Sequence, residues 1–160
     1  MINPLDKFGC EFYAGHARLI GQACAEGKWN ELHSGQMAAM FVGFPPCVHS
    51  SDLLLLLPKA IHEVTQQPEV VLNDVLDSIA GDEGTWGAEA LPTAWVRVIA
   101  EISVERIIEV WQRLLVIIEQ EHGYDEDWQS PAVVQSLFDL NSLCRLARTN
   151  EEDVVHVWNL

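Results

Sequence analysis

Apolar residues along this chain recur mostly at the three-to-four-residue spacing of helices rather than the two-residue spacing of half-buried strands. The clearest stretch follows Ser103. Val104, Ile107, Ile108, Trp111, Leu114, Leu115 and Ile118 keep the i, i+3, i+4, i+7 rhythm up to a stop near Gly123. Glu109 and Arg113 stand on it in the favourable i, i+4 order. Ser130-Pro131 opens a second strong helix, with Val134, Leu137, Leu140, Cys144 and Ala147 on one side. Arg145 and Arg148 fall in its last turn, where cations complement the helix dipole. Pro92 opens a shorter helix to about Glu101.

Other segments are less regular. A helix is predicted from Pro4 to Glu26, capped by Asn3, with Leu5, Phe8, Phe12, Leu19 and Ala23 near helical spacing. Gly9, Gly15 and Gly21 weaken it by about 1 kcal/mol each against alanine, and mark either close packing or a break near Gly15. Another helix is predicted over Glu31–Val42, with Asn30 as cap, Gly43 as stop and Met37, Met40 and Phe41 facing the core. Pro68 opens a further one, with Val71, Leu72, Val75, Leu76 and Ile79 inside and Gly81 ending it. Between these, Ser50-Ser51-Asp52 offers a cap, and Pro58 divides Leu53–Leu57 from a helix over Lys59–Gln67. The leucine run is then either a buried strand or first turn, or part of a helix kinked at Pro58.

The tail from Glu151 to Leu160 supports two readings. Thr149 and Glu152 fit a capping box, whereas Val154-Val155-His156-Val157-Trp158 is rich in strand formers. A strand there needs a partner, and Leu53–Leu57 or Ala88–Leu91 are the candidates. The expected fold is therefore mainly α: one compact domain over residues 1–160 with about six or seven helices. At most a small two- or three-stranded sheet would involve the C-terminal segment.

Composition changes this picture in one respect. A chain of 160 residues with 49% hydrophobic content buries a core without metal or disulfide. Yet nine Lys and Arg face 24 Asp and Glu, a net charge of -15. The acids are unevenly placed. Residues 1–50 hold four acids and three bases, residues 51–100 eight and two, and residues 101–160 twelve and four. Such asymmetry suggests a negative face able to steer a basic partner, and it argues against nucleic acid, whose phosphates need Lys and Arg. The N-terminus lacks a basic start followed by an apolar stretch, and the longest apolar run, Leu53–Leu57, is too short to span a bilayer. A cytoplasmic chain with reduced thiols and no membrane association is the expectation.

Local motifs for chemistry are weak. Cys47 and His49 put a thiol near an imidazole, but residues two apart rarely face each other as nucleophile and base. Glu119-Gln120-Glu121-His122 is one Glu-x-x-His where di-iron bundles need two. Asp125-Glu126-Asp127 lacks the alternating acids and central glycine of a calcium loop. His16, His33, His62 and His156 show no ligand spacing, and the four cysteines form no C-x-x-C pair. No cofactor, no metal and no catalytic residue is expected.

Six tryptophans complete the pattern. Trp95 and Trp111 belong to apolar helix faces, while Trp86 and Trp128 sit in acidic loops. Each loop tryptophan is either an interface anchor or a lid folded onto the core. On the first reading Asp82, Glu83, Trp86, Asp125, Glu126, Asp127 and Trp128 form a partner-binding surface. Small, acidic, helical chains without catalytic motifs resemble, as a functional class, immunity proteins and antitoxins that neutralise a basic toxin. Two other classes remain: a small-ligand binder or enzyme with a pocket between helices, tested first at Cys47, His49 and Glu83–Trp86, and a regulatory or oligomerising subunit.

Overall fold

The computed structural model describes residues 10–34, 40–46, 48–72, 76–82 and 85–159, without the side chain of Asp77. Among them, Cys10–Gly15 (β1), Met40–Phe44 (β2), Asp77–Gly81 (β3), Trp86–Ala90 (β4) and Asp153–Asn159 (β5) form one antiparallel sheet in the order β2-β1-β5-β4-β3. The helices are Ala17–Ala25 (α1), Trp29–His33 (α2), Ser50–Thr65 (α3), Thr93–Ala100 (α4), Ile107–His122 (α5) and Pro131–Thr149 (α6). Short 3-10 turns occupy Val104–Arg106 and Glu126–Gln129. The expected mainly helical class is therefore wrong: this is a mixed α/β fold with five strands rather than two or three.

The helix predicted over Pro4–Glu26 is replaced, in its described part, by β1 and α1. Every residue of β1 is buried. It lies between β2 and β5, with Phe12 in the larger core and Tyr13 in the smaller one on the opposite face. A strand covered on both faces shows no polar–apolar alternation, so its sequence does not announce a strand. The helix over Glu31–Val42 gives way similarly to the short α2 and to β2, whose Met40, Val42 and Phe44 face the larger core and Phe41 the smaller. Met37 lies outside the described residues. After Pro68 no helix occurs among the described residues before Pro92; Val71 is exposed and Ile79 belongs to β3. The ambiguous tail is a strand. It pairs with β4, one of the two partners considered, and also with β1.

Helices lie on both faces of the sheet. α1 packs on β3, β4 and β5, and α6 packs on β2, β1 and β5 from the other side. Gly21 permits the first of these approaches, since a Cβ there would meet the Ile79 side chain and carbonyl at 3.2 Å. α3, α4 and α5 complete the layer around α6.

Cross-element hydrogen bonds close the helix ends of this layer. Asn141 Nδ2 donates to the carbonyls of Ile99 (2.7 Å) and Ile102 (3.1 Å). Arg145 donates to Ala100 (2.9 Å) and Ile102 (2.6 Å), so it serves the C-terminal carbonyls of α4 rather than those of its own helix. Arg106 reaches the Val64 carbonyl at the end of α3 (2.8 Å) and pairs with Glu109, while Arg113 pairs with Glu63 of α3.

Pro58 stands inside the unbroken α3. It has no N–H to give to the carbonyl four residues back, that of Leu54. The indole N–H of buried Trp95 donates to that carbonyl instead, at 3.1 Å, while the ring stacks on Phe12 at 5.8 Å. Leaving a buried carbonyl unpaired costs roughly 1–3 kcal/mol. Trp95→Phe should therefore destabilise the wild type by at least about 1 kcal/mol more than it destabilises Pro58→Ala, in which the alanine N–H restores the missing donor. Urea unfolding of the four proteins in this cycle measures the coupling, and strictly additive losses would refute the exchange of donors.

Candidate functional site

Most acids of the second half of the chain are exposed and without an ion pair among the described residues. Lys28, Arg106, Arg113 and Arg148 are engaged with Glu26, Glu109, Glu63 and Glu101, and Arg145 with main-chain carbonyls. At the end of α5 and in the following turn, Glu119, Glu121, Glu126 and Asp127 are exposed, with no ion pair among the described residues. Asp125 is half-buried and caps the turn by accepting the Asp127 N–H (3.0 Å). Tyr124 stands exposed beside it. At the β3–β4 turn, exposed Asp82 accepts the N–H groups of Thr85 (3.1 Å) and Trp86 (3.2 Å). Glu83 lies outside the described residues.

The two loop tryptophans differ: Trp128 is withdrawn from its acidic turn, whereas half-buried Trp86 lines a groove beside Asp82. Trp128 is 1% exposed and sits in the larger core, and its carbonyl accepts the Trp111 indole N–H at 3.2 Å. It is the lid of the second reading, pinning the acidic turn to α5. Trp86 packs edge-on against Trp29, 6.2 Å away, over the smaller core. Trp158, a residue that sequence reasoning misses, also lines open grooves. Its indole lies directly over Gly87, where a Cβ would come within 2.7 Å. The register signals this, since Gly87 pairs with Trp158.

A run of grooves joins the two acidic patches. One depression, lined by Val116, Glu119, Tyr124 and Asp125, shares Ile118, Asp125 and Trp128 with the next. There His122 of α5 reaches Asp52 in the first turn of α3, at 2.7 Å. That second groove shares Ser51 with a third, of about 350 Å³, between α3 and the β4–β5 pair. The third shares Glu89 and Trp158 with a fourth, which ends at Asp82. The layer offset produces this opening: α6 covers β2, β1 and β5, so the same face of β4 and β3 stays partly bare.

His156 forms part of the floor. It is 1% exposed, beside the Phe12 ring, and its Nδ1 lies 3.4 Å from Glu89 Oε2. Burial holds its pKa below the ordinary histidine value, against the opposing effect of Glu89, so the ring is neutral at pH 7. With Nδ1–H directed to the carboxylate, Nε2 is a lone-pair acceptor, and it has no hydrogen-bond partner.

A second buried polar cluster lies on the opposite face. The Tyr13 hydroxyl donates to Glu11, and His33 Nε2 stands 3.0 Å from the Tyr13 oxygen and 3.5 Å from Glu11 Oε2. Glu11 Oε1 has no partner. Burial raises the Glu11 pKa, against the hydrogen bond from Tyr13 and the nearby His33.

Thiolate chemistry finds no support among the described cysteines. Burial pushes Cys10 and Cys24 up to about 12 and also raises Cys144. Cys47 lies outside the described residues, so the Cys47–His49 pairing has no geometry here. Among the described residues, no three His, Cys, Asp or Glu side chains converge in a way that could hold a metal ion, and no helix is long and apolar enough to cross a membrane.

Compared with models of protein families, with curated proteins and with solved structures, the chain matches none.

Glu11 makes stability depend on pH in a definite direction. Its folded pKa lies above its unfolded one, so its contribution is complete below the ordinary carboxylate range and is lost as pH rises through the raised value. Glu11→Gln keeps an acceptor for Tyr13 and removes the ionisation. The melting temperature of Glu11→Gln relative to wild type should climb as pH rises above the ordinary carboxylate range, followed by circular dichroism. A pH-independent difference would refute the assignment.

Proposed function

We propose that this chain is a protein-binding module that holds a basic partner along its acid-lined run of grooves. In its most specific form it is an immunity protein or antitoxin, acting in the cytoplasm, that covers a cationic toxin. The observation that supports this is the spatial link between two patches far apart in sequence. Asp82 at one end and Glu119 and Asp125 at the other are joined by grooves that also present Asp52 and Glu89. Several of the few bases are engaged elsewhere: Arg106, Arg113 and Arg148 in ion pairs with other acids and Arg145 with the end of α4.

Electrostatics of this kind supplies on-rate and selectivity, while anchoring comes from buried apolar contact. The anchors in this reading are the groove walls, Tyr124, Trp86 and Trp158. Trp128 contributes indirectly, by fixing the turn that carries Asp125, Glu126 and Asp127. Exposed Leu55 and Val116 give the track an apolar strip between its charges.

The probe is a synthetic peptide of alternating lysine and leucine, titrated calorimetrically at low and high salt. Glu119→Lys with Glu126→Lys should weaken binding at least tenfold. Glu105→Lys with Glu109→Lys, an equal charge change at the opposite end of α5, should weaken it less than threefold. Affinity should also fall as salt rises. Equal losses in the two double variants would mean that only net charge is sensed, and the reading would fail.

A further inference from the structure

The third groove differs chemically from the rest of the run. Leu54, Leu55, Leu72 and Leu76 give it aliphatic walls, and Trp158 adds an indole. Among the described residues, its titratable lining groups are Glu89 and His156. The acceptor it presents is the partly exposed Glu89 carboxylate, while the His156 Nε2 lone pair is buried without a hydrogen-bond partner. Asp52, in the first turn of α3, offsets the positive end of the helix that borders the groove.

We infer that this groove is a receptor for one basic side chain of the partner, a lysine ammonium or arginine guanidinium carried on its aliphatic stem. The stem suits the leucine walls, because long cationic side chains bury their methylenes while keeping the head polar. The head meets Glu89, and the Trp158 face adds a cation–π attraction. Other occupants fit worse. A neutral apolar group gives the Glu89 carboxylate no counter-charge, and an anion is repelled by it. A second copy of this chain would bring its own net charge of -15. The inference rests on the basic-partner reading for the source of the cation.

The test uses the whole chain labelled with 15N and three probes: the N-acetyl methylamides of lysine, arginine and norleucine. Norleucine supplies the stem without the charge. Lysine and arginine should give saturable shifts of the Trp158 indole and His156 ring signals, with norleucine binding at least tenfold more weakly. Glu89→Gln should weaken the cationic probes at least tenfold. Leu55→Lys, at an exposed position on the rim, should abolish their binding without disturbing the fold. Equal binding of norleucine, an unchanged affinity in Glu89→Gln, or no saturable shift at Trp158 and His156 each overturns the inference. The two proposals fail separately. If the lysine–leucine peptide still binds through Glu119 and Glu126 while the single-residue probes do not, the receptor is wrong and the module reading stands. If the single-residue probes bind and the peptide does not, the module reading is wrong and the receptor stands.

Discussion

The pairing of β1 with β5 is the constraint on which the rest of the structure depends. It joins the two ends of the chain at the centre of the sheet, running from Cys10 opposite Trp158 to Gly15 opposite Asp153. Without β5, β1 and β4 have no common neighbour, and the sheet falls into two hairpin-sized pieces that are marginal alone. The same pairing divides the interior into two cores. Phe12 and Val154 face the larger helical layer, and Tyr13, Val155 and Val157 face α1 and α2. It also places His156 beside Phe12 and Glu89, so the polar floor of the groove is a consequence of register.

Stability and surface charge are coupled through the few basic residues. The larger layer is assembled from helices whose ends are satisfied by side chains of other helices. Arg145 and Asn141 close α4, and Arg106 closes α3. With nine bases against 24 acids, most carboxylates have no counter-charge available, and those at the end of α5 carry no ion pair among the described residues.

The openness of the groove has an equally simple origin. Two helical layers that covered the sheet symmetrically would bury both faces of every strand. Here α1 is shifted toward β3 and α6 toward β2, leaving one face of β4 and β3 partly uncovered. Gly21 and Gly87 support that arrangement, one by letting α1 approach Ile79 and the other by making room for the Trp158 indole. The exposed strip is edged by acids because the β3–β4 turn and the start of α3 both border it.

Some of this was legible in the chain alone. The helices α4, α5 and α6 could be read from their spacing, because a helix satisfies its hydrogen bonds locally and shows its buried face every three or four residues. The strand character of Val154–Trp158 and the concentration of acids after residue 50 were also visible. The strands β1, β2 and β3 were not. Their hydrogen-bond partners lie elsewhere in the sequence, and burial on both faces erases the alternation in β1, whose neighbour β5 comes from the other end of the chain. The sequence determined how much negative charge the protein carries and which segments coil on their own. Only the tertiary structure decided which acids stay unpaired, that Trp128 is buried while Trp158 lines a groove, and that Glu89 meets His156, because each depends on contacts between residues that local spacing does not relate.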